Sequence, residues 1–119
     1  MIDIYDNLLE PHIAELIDMK MHQQTWRYNY HSQNGTPNKH WHVFCGHDPE
    51  EVTKNEYDWL MPIWDTAFAK YDFKKKYNVV EFKRLYLNAH THGIEPHMHM
   101  DDGDFTMMYY PRLDWKMDW

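Results

Sequence analysis

The hydrophobic period of this chain changes near residue 79, and that change constrains the fold more than any other feature. Before it, apolar residues recur at helical spacing. Ile13, Leu16, Ile17 and Met21 form one stripe of a helix predicted over residues 11–22, with Pro11 suited to its first position. Asp48-Pro49-Glu50-Glu51 joins a capping aspartate to a first-turn proline and a glutamate three residues on, the grammar of a helix start. Leu60, Ile63, Trp64, Ala67, Phe68 and Tyr71 follow a 3.6-residue period, with Pro62 either opening that helix or kinking the one before it. Lys74-Lys75-Lys76 suits the negative pole at its end. Between the helical segments, residues 25–47 read as irregular, with a turn at residues 34–38 and a short strand at 40–44. From Val79 the period is two. Val79 to Ala89 is predicted as a strand and residues 96–101 as extended, while Asp102-Gly103-Asp104 turns the chain into a second strand, Phe105 to Tyr110, to close a hairpin. The expected class is α+β in a single domain, 1–119: N-terminal helices over about residues 1–78, then strands over about 79–119 of a β-barrel or jelly roll.

Composition narrows the function classes. A chain of 119 residues can bury roughly two-thirds of its unfolded surface, enough for a core. Aromatics at 17% exclude a disordered chain. A net charge of -7 argues against nucleic acid or an anionic membrane as partner. Cys45 is the single cysteine, so no internal disulfide forms and a reducing compartment is expected. The start lacks the basic region of a signal peptide, and no apolar run approaches the roughly 20 residues that span a bilayer. The expected location is cytoplasmic.

The chemistry concentrates in residues 96–104. On an extended segment i and i+2 share a face, so His97, His99 and Asp101 project together. Imidazole nitrogen and carboxylate oxygen with positions left open is the ligand chemistry of a catalytic divalent metal, non-heme Fe(II) in particular. His99-x-Asp101 supplies one donor of each kind, and His97 is a third ligand or a supporting group. The preceding strand alternates Arg84, Tyr86 and Asn88 on one face with Leu85, Leu87 and Ala89 on the other. In an ordinary sheet the polar face meets water; in a jelly roll it lines a ligand cavity, where arginine and tyrosine hold a carboxylate. In the following strand, Phe105, Met107 and Tyr109 alternate with Thr106, Met108 and Tyr110, and one set is core. His90 and His92 read as ordinary loop residues, and Cys45 lacks the surroundings of a catalytic nucleophile.

Arg84-Leu85-Tyr86-Leu87-Asn88, a loop with Gly93, His99-Met100-Asp101, and Met108-Tyr109-Tyr110-Pro111-Arg112-Leu113-Asp114-Trp115 together resemble the Fe(II)/2-oxoglutarate-dependent dioxygenases, in the prolyl 4-hydroxylase-like branch. The resemblance covers about residues 79–119. It implies part of a double-stranded β-helix, with His99 and Asp101 as metal ligands and Tyr110, Tyr86 and Asn88 lining the 2-oxoglutarate pocket. It implies Fe(II) as cofactor, 2-oxoglutarate as cosubstrate, and hydroxylation of a small-molecule or peptide substrate with release of succinate and CO2. The family pattern continues with a glycine-rich segment, a distal histidine and a basic residue. The sequence ends at Trp119 without them, so the expectation is a truncated or split oxygenase whose partner is a complementary C-terminal fragment or a second copy.

Other readings compete. His97-x-His99 with Asp104 loosely imitates a cupin, although the glycine spacing departs from it. His97-x-His99-x-Asp101 begins a metallo-β-lactamase-like signature, but Asp102 stands where histidine is needed. A non-catalytic interaction module formed by a truncated barrel is the alternative from outside enzymology.

Overall fold

The computed structural model describes residues 2–31, 39–78, 81–91, 93 and 98–112. Helix α1 spans Pro11–His22, with proline in its first turn and Lys20 and His22 in its last. Its inward face is centred on Ala14 and Ile17, flanked by the partly buried Ile13 and Met21, while Leu16 turns outward at 44% exposed. The expected stripe is thus rotated by one position, because the small Ala14 lets the helix approach the core closely.

Strand β1 (Arg27–Tyr30) leads to β2 (His40–Gly46), and the short helix α2 (Pro49–Lys54) follows. The Asp48 carboxylate accepts a 2.8 Å hydrogen bond from the Glu51 backbone N–H, so the cap read from the sequence forms. Gly46 has no room for a side chain: a Cβ there would lie 2.7 Å from the Val52 nitrogen. A 3-10 turn (Asp58–Leu60) runs into α3 (Met61–Tyr71), with Pro62 in the first turn, opening this helix. Asp72 takes a left-handed conformation, φ 49°, and ends α3. The three lysines therefore lie on a separate short helix, α4 (Phe73–Tyr77), and not at the end of α3 as the sequence suggested.

Strand β3 (Leu85–Ala89) completes an antiparallel sheet of order β1-β2-β3. His42 lies opposite Asn88, Val43 opposite Leu87 and Phe44 opposite Tyr86. One face of the sheet carries Val43, Cys45 and Leu87 into a core shared with Leu9, Ala14 and Ile17 of the N-terminal region and with Val52, Leu60 and Ile63. The helices cover that face. The opposite face is polar and aromatic, and the site lies there.

Two strand expectations need correction. Residues 81–84 lie outside the strand predicted from Val79, and residues 79–80 fall outside the described residues. Phe82 packs on Trp64 at 4.9 Å and Lys83 and Arg84 reach Asp102, so side-chain tethers hold this stretch in place of a ladder. Residues 98–101 and 105–110 likewise belong to no strand, so among the described residues neither the hairpin nor a jelly-roll barrel forms. Side-chain alternation survives without the ladder: Met107 and Tyr109 pack against the core, whereas Met108 and Tyr110 are 71% and 59% exposed. Among the described residues, no helix is long and apolar enough to cross a membrane.

Candidate functional site

The period-two alternation of β3 and β2 builds a cleft. Turning Leu87 into the core turns Tyr86 and Asn88 to the other face, and the register sets Phe44 and His42 beside them. Tyr30 of β1 stacks on His42 with ring centres 3.7 Å apart and planes 5° from parallel. His99 and Asp101 supply the remaining wall, with Arg84 and His47 at the margins. The cleft holds about 160 Å³, below the roughly 300–1,000 Å³ of drug-sized pockets, and so suits a small molecule or a single side chain.

Ionic tethers position the acidic wall. Arg84 Nη2 pairs with Asp102 Oδ1 at 2.8 Å, and Lys83 Nζ lies 3.3 Å from Oδ2 while donating to the Asp102 carbonyl at 2.6 Å. The lysine and then the arginine hold the Asp102 carboxyl below its ordinary range. The neighbouring Asp101 accepts a 2.9 Å hydrogen bond from Thr106 Oγ1 on Oδ2, and its Oδ1 faces His99 Nε2 at 3.6 Å.

That last distance tests whether the pair fits a metal. Two ligands about 2.1 Å from one ion lie about 3.0 Å apart at a right angle and about 3.4 Å apart at the tetrahedral angle. At 3.6 Å, His99 and Asp101 stand a few tenths of an ångström wider than a shared ion requires. Donor types and spacing therefore fit two positions of a divalent ion. Among the described residues, no group of three His, Cys, Asp or Glu side chains closes around one point. Without an ion the same two groups make a partly exposed histidine–carboxylate contact.

Tyr86 and Asn88, the expected cosubstrate contacts, both line the cleft. Burial and then the negative charge of Asp101 raise the Tyr86 pKa, so its phenol stays a hydrogen-bond donor. The Arg84 guanidinium lies over the Tyr86 ring, 5.6 Å from its centre. Asn88 Oδ1 is 2.7 Å from His42 Nδ1. Tyr110 is not among the residues that line the cleft. His92 and His97 lie outside the described residues. His90 stacks on His40 at 4.7 Å instead of facing the cleft. Cys45 is fully buried, and burial pushes its thiol up to about 12, far from the thiolate a nucleophile needs.

Tyr30, which the sequence offers with Trp26, Tyr28 and Trp41 as an entrance residue more apt to be core packing, lines the cleft, whereas His42 and Phe44 were missed. Their signal was present: His40-x-His42-x-Phe44 alternates with Trp41-x-Val43-x-Cys45, the same inside–outside pattern that identified the Tyr86–Asn88 face. Compared with known proteins, the chain matches no family model, no curated protein and no solved structure.

Proposed function

We propose that the cleft is part of the active site of an Fe(II)- and 2-oxoglutarate-dependent oxygenase that hydroxylates a small-molecule or peptide substrate and releases succinate and CO2. The observation that carries the reading is the His99–Asp101 pair, 3.6 Å between donor atoms, lining one cleft with Tyr86 and Asn88. His99 Nε2 and Asp101 Oδ1 would hold Fe(II), which when bound supplies the activation of O2 for attack on an inert C–H bond. The chain's own residues contribute binding and shape. Thr106 fixes the Asp101 carboxylate, so that only one oxygen turns toward His99. The protonated Tyr86 phenol would donate to a cosubstrate carboxylate, with Phe44 and Tyr30 lining the same cleft. Arg84 is engaged by Asp102 and does not supply the cation for the far carboxylate of 2-oxoglutarate. On this reading, that cation and further metal ligation come from a complementary C-terminal fragment or a second copy.

A second reading, a non-catalytic module that docks on another chain, is favoured by Met98 and Met100, which are 93% and 95% exposed beside the cleft-lining residues. Succinate formation separates the two. Incubated anaerobically with Fe(II) and 2-oxoglutarate and then given O2, the chain or its complex with a C-terminal fragment should release succinate in proportion to O2 consumed. No succinate from either would sink the oxygenase reading.

A further inference from the structure

We infer that His42 is a fixed hydrogen-bond acceptor of the cleft, and that the part of the substrate seated beside it carries an N–H or O–H to donate. The inference rests on the proposed ligand-binding role of the cleft and needs no metal in place.

Three observations point to His42. It lines the cleft from β2. Its ring is held on two sides: Tyr30 stacks on it at 3.7 Å, and its Nδ1 meets Asn88 Oδ1 at 2.7 Å. An amide oxygen only accepts, so Nδ1 carries a proton. Burial lowers the His42 pKa, partly opposed by Asn88, so near neutral pH the ring holds one proton and not two. Nε2 therefore keeps its lone pair, and among the described residues no hydrogen bond takes it up. The residue is partly buried, and an acceptor in that position calls for a donor from water or from a ligand.

The other polar groups of the cleft are engaged or act in the opposite sense. Asp101 Oδ2 accepts from Thr106, and its Oδ1 faces His99 Nε2. Asn88 Oδ1 is taken by His42 itself. His47 is largely exposed, and its Nδ1 pairs with Glu51 Oε2 at 3.0 Å. Arg84 pairs with Asp102, and Tyr86 keeps its phenolic proton and so donates.

The arrangement needs no movement of the chain. The β2–β3 register sets His42 opposite Asn88, and the stack on Tyr30 fixes the plane of the ring. Ionised 2-oxoglutarate carries neither N–H nor O–H, so the donor belongs to the substrate. A substrate without one would displace water from Nε2 and leave it unpaired, which is how a polar site rejects an analogue that lacks the matching group. At about 160 Å³ the cleft admits a group the size of an amide or a short alcohol.

The test uses the full chain, labelled with 15N, in EDTA at pH 7.5. Long-range 1H–15N correlation first reads the His42 tautomer, and the proton should sit on Nδ1. Acetamide, 2-propanol and acetone are then titrated. The three have the same number of heavy atoms and offer an N–H, an O–H and no donor. Acetamide or 2-propanol should move the Nε2 resonance of His42 and bind roughly three- to tenfold tighter than acetone. Whichever of the two binds tighter identifies the substrate group as amide or hydroxyl. His42→Phe, which keeps a ring against Tyr30, should bind all three alike. A proton on Nε2 in the wild type, equal binding of the three probes, no binding by any, or a donor preference that survives in folded His42→Phe would overturn the inference. Each of these results leaves Fe(II) binding by His99 and Asp101 to its own titration, so the two readings fail separately.

Discussion

Lowering the pH from about 7.5 to about 5 should destabilise this fold, and His40 should supply a definable part of the slope. His40 is 2% exposed, and its Nε2 has no hydrogen-bond partner. Burial lowers its pKa first, and the charges that His90 and His42 would carry lower it further. His42 and His90 are also shifted down, both by burial first. The sign follows from linkage. A histidine held below its unfolded value near 6.5 binds fewer protons folded than unfolded. Its stabilisation is complete above about pH 6.5 and is lost as the pH falls through the lowered folded value. Each such group contributes at most about 1.4 kcal/mol per pH unit inside that window, so three set a ceiling of about 4. His42 and His90 are partly solvated, and His40 is covered but lies near the surface, so roughly 1–3 kcal/mol per unit is expected. Urea unfolding at half-unit pH steps reads the slope. His40→Phe keeps a ring against His90 and Tyr30 and removes both the titration and the unpartnered nitrogen, whose burial costs about 1–3 kcal/mol. Its slope should fall by up to about 1.4 kcal/mol per unit, with little loss of stability at pH 7.5. A wild-type slope near zero between pH 5 and 6.5, or a His40→Phe slope equal to the wild type, would refute the reasoning.

Four further outcomes are expected. Ile17→Ala, at a fully buried position, should cost about 2–4 kcal/mol in denaturant unfolding, whereas Leu16→Ala, 44% exposed on the same helix, should cost under about 1. Gly46→Ala should cost about 1–3 kcal/mol, because the new Cβ meets the Val52 backbone nitrogen at 2.7 Å, and an unchanged midpoint would contradict the packing of α2 on β2. Asp48→Ala should cost about 1 kcal/mol by removing the cap of α2, with Asp48→Ser restoring most of it. Tyr86→Phe keeps the ring and removes the donor, so binding of 2-oxoglutarate to the metal-loaded chain should weaken roughly tenfold, with metal affinity unchanged.

What the sequence disclosed follows the range of the interactions involved. The Asp48 cap, the proline starts of α1 and α3 and the α1 span are set by neighbours within one helical turn, and all were readable. The inside–outside alternation of Arg84 to Ala89 and of Met107 to Tyr110 was readable too, because burial imposes it residue by residue, whereas Phe105, expected on the same side as Met107, is exposed. Pairing was not readable. Whether an alternating segment joins a sheet depends on a neighbouring strand far away in sequence, and residues 107–110 alternate without one. The same limit hid His42: its place opposite Asn88 arises from a β2–β3 register 46 residues apart, which local pattern does not encode. His99 and Asp101, expected on one side of an extended segment, both line the cleft although residues 98–101 belong to no strand.

Anaerobic titration of the chain with Fe(II), compared with His99→Ala and Asp101→Ala, tests the central claim most directly. The account predicts that the wild type binds a single Fe(II) and that each variant binds it at least about 100-fold more weakly while keeping the wild-type circular dichroism. Equal binding by all three proteins, or no binding by any, would contradict a metal held by His99 and Asp101.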